Sequence, residues 1–196
     1  MGPAKIAGMD HELWLIRHGE TEWSLSGAHT GRTDLPLTKV GEERAAKIAP
    51  KLAGHPFALV LTSPLQRARR TCELAGLGNE AQIEPNLTEW DYGAYEGLTS
   101  ADIQRERPGW AIFRDGVVGG ETIDQVGARA QAVIDRALRV NGDVALFAHG
   151  HILRILTACW LGLTPEAGRF FALGTAAIST LGHEHVTRVI QRWNLQ

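Results

Sequence analysis

"LWLIRHGETEWS", residues 13–24, decides the fold. Leu13, Trp14, Leu15 and Ile16 form a short apolar run of the kind shown by a strand buried on both faces. The run stops at Arg17, and His18 and Gly19 follow directly. A buried strand that ends in a cation and an imidazole carries chemistry to one end of a sheet. The same pattern recurs twice. Residues 57–61 predict a second strand, leading through Ser63 to Arg67, and Asp143–Ala148 predict a third, leading into His149 and Gly150.

Helical patterns separate these strands. Residues 38–49 read as a helix with Thr38 as N-cap, ended or kinked at Pro50. Ser63, Pro64 and Gln66 carry helix-start signals, with Ser63 as the expected N-cap. Residues 82–87 predict a short, weak strand, and Thr99 opens a small helix that stops before Pro108. The clearest helix spans residues 122–140, opened by a capping box of Thr122 and Gln125. Residues 151–161 are helical. Residues 176–181 and 186–193 read as a hairpin turning near Gly182.

This alternation predicts an α/β fold: a three-layer α/β/α sandwich with a mostly parallel central sheet and an antiparallel edge. Residues 1–10 are expected to form a flexible tail, and residues 11–196 one domain. Residues 90–121, rich in Gly, Trp, Tyr and charge, predict an insertion covering one end of the sheet.

The chain has 196 residues, of which 44% are hydrophobic and 21% charged, with a formal net charge of -2. That balance gives no reason to expect a nucleic-acid or membrane partner. No apolar run reaches the length of a membrane span, and the first ten residues do not read as a signal peptide. The expectation is a cytoplasmic protein, monomer or homodimer. Cys72 and Cys159 read as small buried hydrophobes.

Ligands of open α/β sheets bind beyond the carboxyl ends of the strands. Three such ends here supply Arg17, His18, Arg67 and His149, and the helix starts, Gly150 among them, add free N–H groups. Apart from Glu20, these turns contain no carboxylate. They predict an anion pocket, with phosphate as the anion and a small phosphorylated molecule as the partner. Neighbouring guanidiniums disfavour imidazolium, so His18 is expected neutral and able to attack phosphorus. The leaving oxygen needs a proton, and the residues alone rank Glu89 little above Asp91 or Glu96. The pair His149 and His151 allows a metal site, but no nearby Asp, Glu or Cys completes a ligand set. Arg69, Arg70 and Arg154 read as structural or surface cations. Trp23, Trp90 and Trp110 fall in loops near the expected site.

With "LIRHGET", "SPLQRARRT", "LTEWDYGAYEG" and "LFAHGH" in this order, residues 12–193 resemble the histidine phosphatase superfamily, the phosphoglycerate mutase-like group. The resemblance implies a phosphohistidine intermediate on His18. It also implies a phosphate pocket of Arg17, Arg67 and His149, Glu89 as proton donor, and no metal or other cofactor. Further stretches resemble the sedoheptulose-1,7-bisphosphatase-type sugar bisphosphatases of that group. On that likeness Ser24, His29, Thr30, Tyr92 and Arg114 would contact substrate, with Arg114 suited to a second phosphate. His29 stands where an aromatic hydroxyl is expected, and Ser24 where many relatives carry asparagine. The implied activity is hydrolysis of a sugar phosphate or bisphosphate. A phosphoglycerate mutase and a non-catalytic phospho-ligand binder are the alternatives.

Overall fold

The computed structural model describes residues 11–196; the tail expected over residues 1–10 lies outside them. In chain order the elements are β1 (Leu13–Arg17), α1 (Glu22–Ser26), α2 (Lys39–Ala46), α3 (Ala49–Leu52), β2 (Phe57–Thr62), α4 (Gln66–Leu74), β3 (Ala81–Ile83), α5 (Ser100–Glu106), α6 (Ile112–Asp115), α7 (Ile123–Ala137), β4 (Asp143–Ala148), α8 (Gly150–Trp160), β5 (Ile178–Glu184) and β6 (Thr187–Leu195). The sheet order is β3-β2-β4-β1-β5-β6. The first four of these are mutually parallel, and β5 and β6 form the antiparallel edge.

Side chains alternate between the two faces of a strand, so a doubly covered sheet must be apolar throughout. Val144, Leu146 and Ala148 of β4 join Leu13 and Leu15 in the core beneath α7 and α8. Ala145 and Phe147 join Ile16 and Val60 in the opposite core, with Ile48, Leu52 and Cys72. These two cores are the interfaces of the expected three-layer sandwich. Helix α7 buries Val126, Ala130, Val133, Ile134 and Ala137 completely. Burial of each branched side chain among these contributes roughly 1.5–3 kcal/mol. Its capping box is the expected one, Thr122 with Gln125, and Thr99 and Asp102 form another at α5.

Four expectations need correction. Helix α2 ends at Ala46, and Pro50 lies in the first turn of a separate helix, where its missing N–H leaves nothing unpaired. Ser63 does not cap α4. Its N–H still serves the sheet, donating to Phe147 O at 2.9 Å, and the helix begins three residues later. Asp34 takes over the cap, accepting from Gln66 N at 2.7 Å. The strand expected over residues 82–87 is only Ala81–Ile83, because Pro85 opens a 3₁₀ turn, Pro85–Leu87. The hairpin reverses at His185, whose φ is 55°, while Gly182 stays inside β5, paired with Val189.

No helix among the described residues is long and apolar enough to cross a membrane. Both cysteines are free thiols, and burial pushes that of Cys72 up to about 12.

Candidate active site

Strands β1 and β4 are parallel neighbours with Arg17 opposite Ala148. The residues that follow, His18 and His149, therefore emerge side by side, with ring centroids 5.1 Å apart. Strand β2 flanks β4 on its other edge, which brings Ser63 to the same end. Arg67, in the first turn of α4, is fully buried. Its Nε donates to His149 Nδ1 at 3.1 Å, and its other nitrogens donate to Thr33 O, Thr30 O and Gly31 O at 2.8–3.0 Å. Arg17 donates to Leu173 O, while its Nε is buried with no partner. Among the described residues neither guanidinium has a carboxylate ion-pair partner. Glu20, the one acid in these turns, accepts from Thr38 instead.

Burial holds both His18 and His149 well below the ordinary imidazole range, reinforced at each by Arg17 and Arg67. The expected neutrality of His18 is therefore met, with burial the larger cause. His18 Nδ1 lies 2.7 Å from Gly19 O. A carbonyl only accepts, so Nδ1 carries the proton and Nε2 keeps its lone pair. His149 is bound at both nitrogens, because its Nε2 stands 2.7 Å from Ser63 Oγ.

Glu89 is buried at the N-terminus of α8. Its Oε1 accepts from Trp90 N at 3.0 Å and Ile152 N at 2.9 Å, and its Oε2 accepts from His151 N at 3.0 Å. The carboxylate thus satisfies helix-start donors that His149, at the N-cap position, leaves unbonded.

A cleft of about 480 Å³ opens over these groups, lined by Arg17, His18, Glu89 and Gly150. Ser24, His29, Thr30, Tyr92 and Arg114 also line it, whereas Arg67 and His149 lie behind it. Several of these side chains have protein partners. Ser24 closes the cap of α1 through Thr21. His29 Nδ1 binds Leu98 O at 2.7 Å, and the Thr30 hydroxyl binds Ala28 O at 3.2 Å. The Tyr92 hydroxyl, pushed well above its ordinary range mainly by burial, donates to His151 Nδ1 at 2.5 Å. His151 belongs to the aromatic wall, its ring against those of His29, Tyr92 and Phe113. Exposed Arg114 pairs with Asp115 at 2.7 Å. Trp110 lines the cleft from the segment 90–121, while Trp90 is fully buried beneath it and Trp23 packs over Gly97.

Sequence reasoning missed three groups. Ser63 reads locally as a helix start, not as a histidine partner. Arg154 reads only as a structural or surface cation, and it also lines the cleft, with its guanidinium 4.6 Å from the Phe113 ring centre. Its hydrogen bonds go to two carbonyls, Gly168 O and Arg169 O. Glu96 holds Gly31 N and Thr33 N at 3.0 Å, fixing the loop whose carbonyls hold Arg67.

The sequence profile of the histidine phosphatase superfamily (branch 1) matches residues 13–196. An acid phosphatase of Mycobacterium tuberculosis is 39% identical over 184 residues, covering 91% of this chain and 90% of that protein. Sedoheptulose 1,7-bisphosphatase of Saccharomyces cerevisiae is 37% identical over 182 residues, covering 76% of this chain and 67% of that protein. The solved structure of open reading frame Rv3214 from Mycobacterium tuberculosis superposes with a TM-score of 0.90 at 37% identity, covering 95% of this chain and 98% of that one.

Proposed function

The chain belongs to the histidine phosphatase superfamily and is a phosphatase of that family, and we propose that it hydrolyses a small sugar phosphate or bisphosphate through a phosphohistidine on His18. One observation carries this reading. Arg17 and Arg67 converge beside a neutral imidazole, bonded to carbonyls and to His149 Nδ1, with no carboxylate at ion-pair distance among the described residues. Two desolvated cations share the one buried carboxylate of Glu89 at longer range, and a bound phosphate supplies the charge still missing.

The reaction runs in two displacements. His18 Nε2 attacks phosphorus, the N–P bond forms, and the P–O bond to the substrate breaks. Arg17 and the Gly150 N–H, both on the cleft, stabilise the equatorial oxygens, and Arg67 adds its charge from behind. Glu89 delivers a proton to the departing alkoxide. Its Oε2 accepts one backbone bond against two at Oε1, so Oε2 has the lone pair that carries this proton. Water then attacks the phosphohistidine, Glu89 takes back a proton, and phosphate leaves with His18 neutral again. His149 assists by aiming Arg67: its Nδ1 accepts from the Arg67 Nε–H, so its Nε2 carries the proton and donates to Ser63 Oγ.

A second anionic group on the substrate suits the outer cleft, where Arg114, Arg154 and Arg169 stand beyond the aromatic wall. The likeness to a sugar bisphosphatase supports the same substrate class. The test is a phosphatase screen comparing sedoheptulose and fructose bisphosphates, sugar monophosphates and phosphoglycerates. Higher kcat/KM on the bisphosphates supports the proposal. Isomerisation of phosphoglycerate faster than phosphate release would replace it with a mutase, and binding without turnover across the panel would replace it with a binder.

A further inference from the structure

We infer that Arg129, through its pairing with Glu121, is a positioning residue that fixes the peptide on either side of Glu89; the inference rests on Glu89 being the proton donor. The chain leading to Glu89 has little regular structure. Strand β3 ends at Ile83, and after the single 3₁₀ turn at Pro85–Leu87 no strand ladder holds residues 88–91. Side chains replace the ladder. Arg129 projects from α7 and donates to Asn86 O at 2.7 Å and Thr88 O at 2.8 Å, with Glu89 O at 3.4 Å. It also forms a forked pair with Glu121, at 2.8 Å to each carboxylate oxygen.

Glu121 completes the clamp from the other side. Its Oε2 accepts from Asp91 N at 3.0 Å, and its backbone oxygen accepts from the Trp90 indole at 2.9 Å. Its N–H donates to Asp91 O at 3.0 Å. Burial alone would raise the Glu121 carboxyl, but the bonds from Arg129 and Asp91 N hold it below its ordinary range. The pair is mostly shielded, with side chains 19% and 18% exposed. Glu89 is thus held twice: α8 grips its carboxylate, and α7 grips its backbone. A lysine at position 129 would have three donors on a compact head, too few for the acceptors that the planar guanidinium serves.

A purely structural ion pair would affect all substrates alike, whereas misplacing the acid harms only reactions that need it. The experiment measures kcat/KM of the full chain on a series of phosphate monoesters, from an alkyl phosphate to 4-nitrophenyl phosphate. The variants are Arg129→Met, Arg129→Lys, Glu121→Gln and Glu89→Gln. A nitrophenolate leaves without a proton, so Glu89→Gln should lose about 100-fold or more on the alkyl ester and far less on the aryl one. Arg129→Met and Glu121→Gln should show the same pattern with a loss of about 10- to 100-fold on the alkyl ester. Arg129→Lys should lie between wild type and Arg129→Met. Equal losses on both esters, or none, in the clamp variants beside a selective loss in Glu89→Gln would overturn the positioning role alone. A flat response of Glu89→Gln would remove the proton-donor reading and the inference with it. Glu121→Gln keeps Arg129 in place, so the answer does not depend on one variant folding.

Discussion

Ser63 Oγ lies 2.7 Å from His149 Nε2, across 86 residues of sequence, and both side chains are fully buried. The contact fixes the ring whose other nitrogen meets Arg67. Replacing Ser63 with alanine strands a buried N–H, at about 1–3 kcal/mol of stability. It also removes the acceptor that fixes the ring against Arg67. Steady-state kinetics of Ser63→Ala should show kcat lowered about tenfold, an effect near 1.4 kcal/mol, with KM changed less. Unchanged kcat in a folded Ser63→Ala enzyme would show that His149 needs no such partner.

The outer cations are expected to differ in weight. Arg114 is exposed and shared with Asp115, whereas Arg154 has carbonyl partners and a position deeper along the cleft wall. Arg114→Ala should harm a bisphosphate substrate more than 4-nitrophenyl phosphate. Arg154→Ala should do so more strongly, because its charge is less screened by solvent and has no paired acid. KM values for the two substrate types, measured in both variants, separate these effects. Parallel losses on both substrates would remove the second-anion role.

Stability should depend on pH in a direction set by three imidazoles. Burial holds His18, His149 and His151 well below their ordinary range, with nearby guanidiniums adding to the effect at each. In the unfolded chain each takes up a proton near pH ~6.5. The folded protein takes it up only at lower pH. Stability is therefore full above about pH 6.5 and falls below it, by about 1.4 kcal/mol per pH unit for each histidine. Urea unfolding measured between pH 7 and pH 5 should show this decline (about 1–4 kcal/mol per unit, as one to three histidines contribute). A flat profile across that range would mean that the imidazoles take up protons in the folded state as readily as in the unfolded chain.

Glu96 ties two loops of the site together. Its carboxylate accepts from Gly31 N and Thr33 N, and the carbonyls of Thr30, Gly31 and Thr33 in turn hold Arg67. Glu96→Ala should release the loop, lower stability by about 1–3 kcal/mol and raise the inhibition constant of inorganic phosphate. Phosphate inhibition at wild-type strength in that variant would detach the loop from the pocket.

The parts of the fold legible in the sequence are those that local pattern determines. The apolar runs of β1 and β4, the helix start at Thr99 and the capping box at Thr122 needed only neighbouring residues, and they appear where expected. The clustering of Arg17, His18, Arg67 and His149 followed from the rule that strand ends share one side of a parallel sheet. Where a distant partner decides the outcome, the local reading failed. Ser63 carries every sign of an N-cap, yet sheet pairing keeps its backbone extended and His149 takes its hydroxyl. Arg129 looks like any cation on a helix until the chain brings residues 86–91 against it, some 40 positions away. The place of Arg154 on the cleft wall was hidden for the same reason: it depends on Phe113 and Gly168, from segments remote in sequence.

The most direct measurement is rapid acid-free quenching of the enzyme with ³²P-labelled substrate, followed by mapping of the labelled peptide. Label that is stable to alkali, labile to acid and located on His18 is the predicted result, with none retained in His18→Ala. Turnover in His18→Ala at the wild-type rate, or label on another residue, would contradict the account.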